Sequence, residues 1–370
     1  MILLYCFTIV YTVFLMYLII ILLRRYLHKY ENSAVYHQKP VSIVIPFRNE
    51  ETHLGQLLAS LNKLDYKSEI EIVLIDDSST DRSVEIIRSV IDSFGHAITL
   101  CRLEVDIQRN LTSKQQALDL GIRKAKFDTI VFTDADMLFK PGWLESLDRK
   151  LSDDVALVFG RTSIQLSNKG LFQFFQAFQL DFLFATAYTF FHAGIPGSCM
   201  GNNMVISRQK YLDCGGFDKI GYSITEDRAL YAHFKKNNFK IDITEPFTAD
   251  AITHPCGNII QFFSQMKRWV IGGLSNRSVL FPIALLFAIQ NITFCIALTG
   301  VLPKPATVIV VGNFLLTWLF TIVGFNSIKA QCSSGYFPLF FALLIIEVLS
   351  FSISFIVNPS VSWKGRALTK

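Results

Sequence analysis

The chain opens on an apolar run, Ile2 to Leu23, that carries no charge over the roughly 20 residues a helix needs to cross a bilayer. It predicts a spanning anchor over residues 1–24. Arg24, Arg25 and Lys29 follow the run instead of preceding it, and no small-residue cleavage site is evident, so the pattern favours a retained anchor over a cleaved leader. The cytosolic excess of Lys and Arg at such boundaries puts residue 24 onward in the cytosol. Three more apolar stretches, Val279 to Leu302, Ala306 to Phe325 and Phe337 to Val357, are long enough to span, which marks 279–358 as a C-terminal membrane region. Three crossings would leave the tail 359–370 outside, yet its Lys364, Arg366 and Lys370 prefer the cytosolic side. Either one stretch is re-entrant or interfacial, or the charge rule fails here.

Between these regions the pattern changes to short β-branched runs bounded by polar residues: VSIVIP (41–46), IEIVLI (70–75), AITLCRL (97–103), TIVFT (129–133) and VALVFG (155–160). Helical patterns lie between them, at Glu51 to Leu64 and at Thr80 to Phe94, the second with Ser79 or Thr80 as N-cap. Alternating strands and helices predict an α/β fold around a mostly parallel, Rossmann-like sheet, whose ligands bind beyond the carboxyl ends of the strands. Phe47-Arg48-Asn49-Glu50, Asp76-Asp77-Ser78 and Asp134-Ala135-Asp136 all follow strands, so they are expected to converge on one edge.

Leu171 to Ile195 is apolar enough to imitate another span, but Gln173, Gln176, Gln179 and Asp181 make a crossing costly. A single crossing would also separate Asp136 from Asp227. The segment therefore reads as an aromatic-rich interfacial helix within a cytosolic domain of 38–275, with a buried core helix as the alternative.

Composition sharpens this division. Hydrophobic content of 51% is high for a soluble domain and 18% charge is high for a membrane bundle, so a soluble domain flanked by spans fits both. The net charge of +5 is modest and its basic residues are not clustered, which argues against a nucleic-acid partner. Seven scattered cysteines include no C-x-x-C pair and indicate neither a zinc site nor a disulfide framework.

Asp134 and Asp136 offer hard oxygen ligands suited to Mg2+ or Mn2+, ions that usually share their shell with phosphate. A solvated acidic turn is the competing reading. Asp77 can accept hydrogen bonds from a nucleobase or ribose, or the Asp76-Asp77 pair belongs to a helix-capping cluster.

The segments VSIVIPFRNE, IVLIDDSSTD, SKQQALDLGI, FTDADM, ITEDRAL and QMKRW occur in the order seen in inverting glycosyltransferase family 2. The likeness covers residues 41 to 275, and its T-E-D and Q-x-x-R-W elements resemble the membrane branch with ceramide glucosyltransferases and the cellulose, chitin and hyaluronan synthases. It implies a nucleotide-diphospho-sugar transferase fold of the GT-A type. In its terms Pro46 and Glu50 lie at the nucleotide, Asp77 contacts uracil, and Lys114 lies near the phosphates. Asp136 holds the metal with Asp134 in support, and Asp227 is the general base, the like charge of Glu226 helping to raise the pKa of one of the two; the competing reading is a Thr-Glu-Asp capping cluster with Thr225 as N-cap. Gln265, Arg268 and Trp269 share a helix face from Ile259; Arg268 is placed to pair with diphosphate and Trp269 to stack on sugar, or the two are a juxtamembrane charge and an interfacial anchor. Gly201, Asn202 and Asn203 are candidates for the acceptor side, and His254 for a third ligand or a phosphate contact.

The implied activity is transfer of a hexose from a UDP-sugar to a lipid or lipid-linked hydroxyl, in a bacterial inner membrane with the catalytic domain in the cytosol. A processive polysaccharide synthase and an inactive nucleotide-sugar-binding protein are the alternatives.

Overall fold

The structure, a computed structural model, describes residues 2–27, 37–166, 170–197, 199–244, 250–273, 280–357, 362–363 and 366–367. Lys29, Val279, Lys364 and Lys370 lie outside the described residues. The chain divides into two units, one formed by 33–165, 198–272 and 360–370, the other by 1–32, 166–197 and 273–359.

In the first unit, β1 (Val41–Phe47) and β2 (Ile70–Asp76) are buried at every position, as strands covered on both faces must be. With β3 (Ala97–Arg102), β4 (Thr129–Phe132), β6 (Val155–Phe159), β8 (Met204–Ser207) and β9 (Lys240–Ile243) they form one sheet in the order β3-β2-β1-β4-β8-β6-β9. Strands β3, β2, β1 and β4 are mutually parallel, and β6 is parallel to β9, but β8 runs antiparallel to both neighbours. The predicted mostly parallel α/β sheet is present. The four residues of β8 are too few to carry a period. A second sheet, β5 (Met137–Phe139), β10 (Ala251–Thr253) and β7 (Thr162–Ile164), is built from three-residue strands that no periodicity could announce.

Two polar residues inside the sheet are satisfied locally. Buried Glu71 accepts from Ser42 Oγ and from the Lys126 N–H, so a carboxylate in a continuous apolar layer avoids the cost of an unmade bond. The fully buried Trp143 stacks on Phe139 and donates through Nε1 to Asn203 Oδ1 at 2.9 Å.

The loops after β1 and β2 are laced together by side chains. Arg48 Nη1 donates to Asp77 O at 2.7 Å, the Asn49 N–H to Ser79 Oγ at 3.1 Å, and the Thr80 N–H to Asn49 Oδ1 at 2.8 Å. This spends the groups expected to cap the next helix. That helix begins later, at Ser83–Val90, with Arg82 at its N-cap and no side-chain cap bond. The helix expected from Glu51 is likewise shorter, Leu54–Leu61, because Glu50 to His53 form a turn.

The second unit holds helices Ile2–Leu27, Leu171–His192, Leu280–Leu298, Lys304–Ile328 and Phe337–Val357. Among the described residues, Ile2–Leu27, Leu280–Leu298, Lys304–Ile328 and Ser334–Ile353 are long and apolar enough to cross a membrane. Tyr11 Oη meets Thr317 Oγ1 at 2.9 Å, Thr12 Oγ1 donates to Asn313 Oδ1 at 2.6 Å, and Asn313 Nδ2 donates to Gln290 Oε1 at 3.2 Å. Such polar contacts hold apolar helices together where lipid supplies no hydrophobic drive. Helix Leu171–His192 packs inside this unit: Phe178 and Phe184 are fully buried, Asp181 accepts from the Cys332 N–H at 3.2 Å, and Gln179 Nε2 donates to both Glu347 oxygens.

In the first unit, Gly121 lies where a Cβ would stand 2.3 Å from Val44 Cγ1 on β1. Gly121→Ala is expected to destabilise the protein by about 1–3 kcal/mol through overpacking, read as a lowered thermal unfolding midpoint.

Candidate active site

The carboxyl ends of β1, β2 and β4 deliver their loops to one edge, and a second set of elements meets the β4 loop there. Helix Ser113–Lys124 starts with a capping box in which Thr112 Oγ1 accepts from the Gln115 N–H and Gln115 Oε1 accepts from the Thr112 N–H. This fixes Lys114 in the first turn. Its Nζ lies 2.7 Å from Asp134 Oδ1 and 2.7 Å from Glu226 Oε1, so one ammonium joins the D-x-D loop to the T-E-D helix, Glu226–Lys236. Burial opposes the charge on Lys114, but Asp134 and Glu226 outweigh it and hold its pKa above the usual value.

Asp227 forms the next wall. Its Oδ2 accepts the Gly201 N–H at 2.9 Å and its Oδ1 the Arg228 N–H at 2.7 Å. A Cβ at residue 201 would come within 2.4 Å of Asp227 Cβ, so only glycine lets the backbone reach this carboxylate. Burial, then the like charge of Glu226, pushes Asp227 up to about 6, against the pull of the Arg228 N–H, Lys114 and the Gly201 N–H. Thr225 stands at the N-cap but makes no side-chain cap bond.

Lys114, Asp134, Gly201, Glu226 and Asp227 line a cleft whose apolar wall includes Leu118, Phe132, Phe217 and Leu230. Phe217 is held from behind: its N–H donates to Tyr211 Oη at 3.0 Å, and Tyr211 donates to Asp119 Oδ1 at 2.8 Å. Burial pushes Asp119 up, but hydrogen bonds from Arg123, Arg109 and Tyr211 outweigh it and keep the carboxyl below its ordinary range.

The remaining predicted residues fall at different distances from this centre. On helix Ile259–Gly273, burial pulls the Arg268 guanidinium down, while Glu226, Asp134 and Asp136 are close enough to oppose it. Gln265 Oε1 instead accepts from Cys256 Sγ at 3.5 Å, and Trp269 is 38% exposed. The end of this helix rests on the T-E-D element: Arg228 Nη1 donates to Gly272 O at 3.0 Å, and a Cβ at Gly272 would stand 2.2 Å from Thr225 Cγ2. Asp77 is fully buried just beyond β2, Pro46 is a strand residue in register with Ile75, and Glu50 Oε2 meets His53 Nδ1 at 3.0 Å. None of these six lines the cleft itself. The pairing of Thr253 with Met137 brings His254 level with Asp136, but its ring packs on His53 at 4.7 Å, and burial and His53 lower its pKa. Asn203, expected on the acceptor side, serves the core instead, receiving Trp143 and donating to Arg161 O at 2.6 Å.

A single family model aligns with residues 4–369, nearly the whole chain, and it is that of glycosyl transferase family 21. The chain belongs to this family. The family is 21, where the motifs had suggested family 2. The chain is 35% identical over 96 residues, 26% of its length and 36% of the other's, to an uncharacterized glycosyltransferase of Haemophilus influenzae. It is 34% identical over 103 residues, 27% of its length and 29% of the other's, to an undecaprenyl-phosphate 4-deoxy-4-formamido-L-arabinose transferase of Pseudomonas aeruginosa. The chain thus spans only about a third of the length of these relatives. A solved mannosyltransferase of Pyrobaculum calidifontis, in complex with GDP-Man and Mn2+, superposes with a TM-score of 0.55 at 16% identity, over 89% of this chain and 100% of that one. The likeness is one of fold.

A divalent ion suits the family 21 site on its own chemistry. Asp134 and Asp136 are half-buried, and Asp134 Oδ2 accepts no hydrogen bond among the described residues. No group of three or more His, Cys, Asp or Glu that could hold a metal occurs among those residues. Mg2+ and Mn2+ bound beside a nucleotide need only one or two protein carboxylates, with phosphate and water completing the shell.

Sequence reasoning missed the Lys114–Glu226 contact and the Gly201–Asp227 contact, because each joins residues with no local signature of pairing. The raised pKa of Asp227 carries a stability consequence. Its folded value, about 6, exceeds the ordinary aspartate value of 3.8, so keeping it ionised destabilises the fold fully above pH 6 and not at all below about pH 4. Asp227→Asn is expected to stabilise the protein at pH 8 by about 1–2 kcal/mol, the roughly 3 kcal/mol of a two-unit shift less one lost acceptor. Thermal unfolding at pH 8 and pH 4 checks this, the gain vanishing at the lower pH.

Proposed function

We propose that this family 21 glycosyltransferase moves a hexose from a nucleoside diphosphate, UDP being the expected carrier, to a hydroxyl of a lipid or lipid-linked acceptor, with inversion. The observation that carries the reading is Asp227: a carboxylate with its pKa drawn up to about 6, held by the Gly201 N–H in the same cleft as Lys114 and Asp134. A base works best when its pKa lies near the operating pH.

In this reading Asp227 takes the proton of the acceptor hydroxyl as that oxygen attacks the anomeric carbon opposite the nucleotide. One displacement inverts the configuration. Lys114 and Arg268 face the diphosphate, with Arg268 able to make paired charge-assisted bonds. Asp134 and Asp136 would hold Mg2+ or Mn2+, which when bound supplies positive charge for the departing diphosphate. Asp77, with Pro46 near the end of β1 and Glu50 in the loop that follows it, serves the nucleoside, while Gln265 and Trp269 serve the sugar or the acceptor. The apolar wall of Phe132, Phe217 and Leu230 keeps water from competing for the anomeric carbon.

The lipid acceptor is supported by the four helices long enough to span a membrane and by the relative named for undecaprenyl phosphate. The proposed setting is a bacterial inner membrane with domain 38–275 in the cytosol.

Membranes carrying wild-type, Asp136→Ala and Asp227→Asn protein are to be incubated with a panel of UDP-sugars and Mn2+, with UDP release measured. Each variant is expected to lose at least about 100-fold in turnover; unchanged turnover in both would sink the reading. Labelled product should partition into organic solvent, whereas an insoluble polymer would indicate processive synthesis. Because the Glu226 charge helps hold Asp227 up, Glu226→Gln should move the acid limb of the pH–rate profile below pH 6, so that the variant keeps a larger share of its maximal rate at pH 5 than wild type does.

A further inference from the structure

Gln115 does more than close a helix cap. In a capping box the side chain at the third helical position is spent on the N-cap N–H, and Gln115 Oε1 makes that bond to Thr112 at 2.9 Å. The same oxygen also accepts the Ser223 N–H at 3.1 Å, and Nε2 donates to Gly221 O at 2.9 Å. The side-chain amide thus bonds the backbone on both sides of Tyr222, more than 100 residues downstream. Gln115 is fully buried, so each of these bonds is costly to leave unmade.

The stretch it grips leads directly into Glu226 and Asp227. Gly221 has φ +77°, a left-handed turn that redirects the chain after helix Gly216–Ile220, and Ser223 Oγ donates to Thr225 O at 2.9 Å just before the T-E-D helix begins. On the other side of Gln115, its neighbour Lys114 reaches Asp134 and Glu226. One amide therefore sets the spacing between the element that carries Lys114 and the element that carries the base.

We infer that Gln115 is a positioning residue for glycosyl transfer: its bonds to Gly221 and Ser223 hold Asp227 in register with Lys114 and Asp134. The inference rests on the reading under Proposed function. It separates two halves of the site. Lys114 and Asp134 stay with helix Ser113–Lys124 and β4 when the grip is lost, whereas the 221–225 stretch and Asp227 shift.

Gln115→Glu tests this, because glutamate at the third position preserves the capping box while replacing the Nε2 donor with an oxygen that repels Gly221 O. The full chain is purified in detergent, and UDP release, thermal unfolding and amide exchange are followed. The expected result is a kcat at least tenfold lower per folded molecule, a donor KM within threefold of wild type, and at least tenfold faster exchange in a peptide covering 221–225, with an unfolding midpoint that is lowered but stays above the assay temperature. If the buried carboxylate prevents folding, Gln115→Met removes the bonds to Gly221 and Ser223 without a charge, along with the capping-box bond to Thr112, and carries the same expectation for kcat per folded molecule and for exchange at 221–225.

Wild-type kcat in a folded variant, unchanged exchange at 221–225, or kcat lost only in proportion to unfolded protein overturns the positioning role alone. A wild-type protein that releases no nucleotide from any donor instead overturns the glycosyl-transfer reading, and the positioning role with it.

Discussion

The cleft depends on a single ammonium. Lys114 stands 2.7 Å from Asp134 and 2.7 Å from Glu226, and without it two half-buried carboxylates from distant parts of the chain would face each other across a small space. Like charges at such separations repel by several kcal/mol at the effective dielectric of a protein surface. The cation makes the D-x-D loop and the T-E-D helix compatible neighbours. An ammonium on a flexible stem can also turn from one partner to another.

Everything else around that ammonium serves to keep its neighbours from relaxing. Asp227 is met at close range by the backbone of Gly201, whose bare Cα leaves the room, and is denied full solvation by burial, which with the charge of Glu226 is why its proton is held more tightly than an ordinary aspartate's. The apolar wall is fixed by a relay of polar groups outside the cleft, Arg109 and Arg123 to Asp119, Asp119 to Tyr211, and Tyr211 to the Phe217 backbone. Gly272 permits Thr225 to come close, and Arg228 satisfies a carbonyl at the end of the Arg268 helix. A carboxylate kept out of water at some cost to stability is the usual trade at a working site.

Much of this was legible in the sequence where the signal is local. Continuous β-branched runs gave β1, β2, β4 and β6 to within a residue or two, because a strand buried on both faces has no polar positions to disguise it. The acidic loops at their ends followed from the parallel topology alone. The reversed β8 escaped notice because four residues cannot display a period and because its direction is set by the neighbours it joins. The hydroxyls of Ser79 and Thr80 suit a helix cap by type, yet both turn to Asn49 on the adjacent loop, Ser79 Oγ accepting its N–H and Thr80 Oγ1 donating to its Oδ1. Asn203 was misplaced for a similar reason: an exposed-looking Gly-Asn-Asn turn gives no hint that a tryptophan 60 residues earlier needs its carbonyl. Long-range partnership is what a single sequence withholds.

The polar seam of the helical unit has a consequence for the order in which the protein is made. Tyr11 and Thr12 find Thr317 and Asn313 across 306 and 301 residues of chain. At translation rates of about 5–20 residues per second, the first helix waits roughly 15–60 s for its partners. During that interval its hydroxyls have the carbonyls of their own helix within reach, as Thr8 and Thr12 do through bonds one turn back. The intervening sheet unit is synthesised in the meantime. Helix Ile2–Leu27 is therefore made well before the partners of its polar side chains, and a nascent chain that stalls before residue 313 leaves Tyr11 and Thr12 without Thr317 and Asn313.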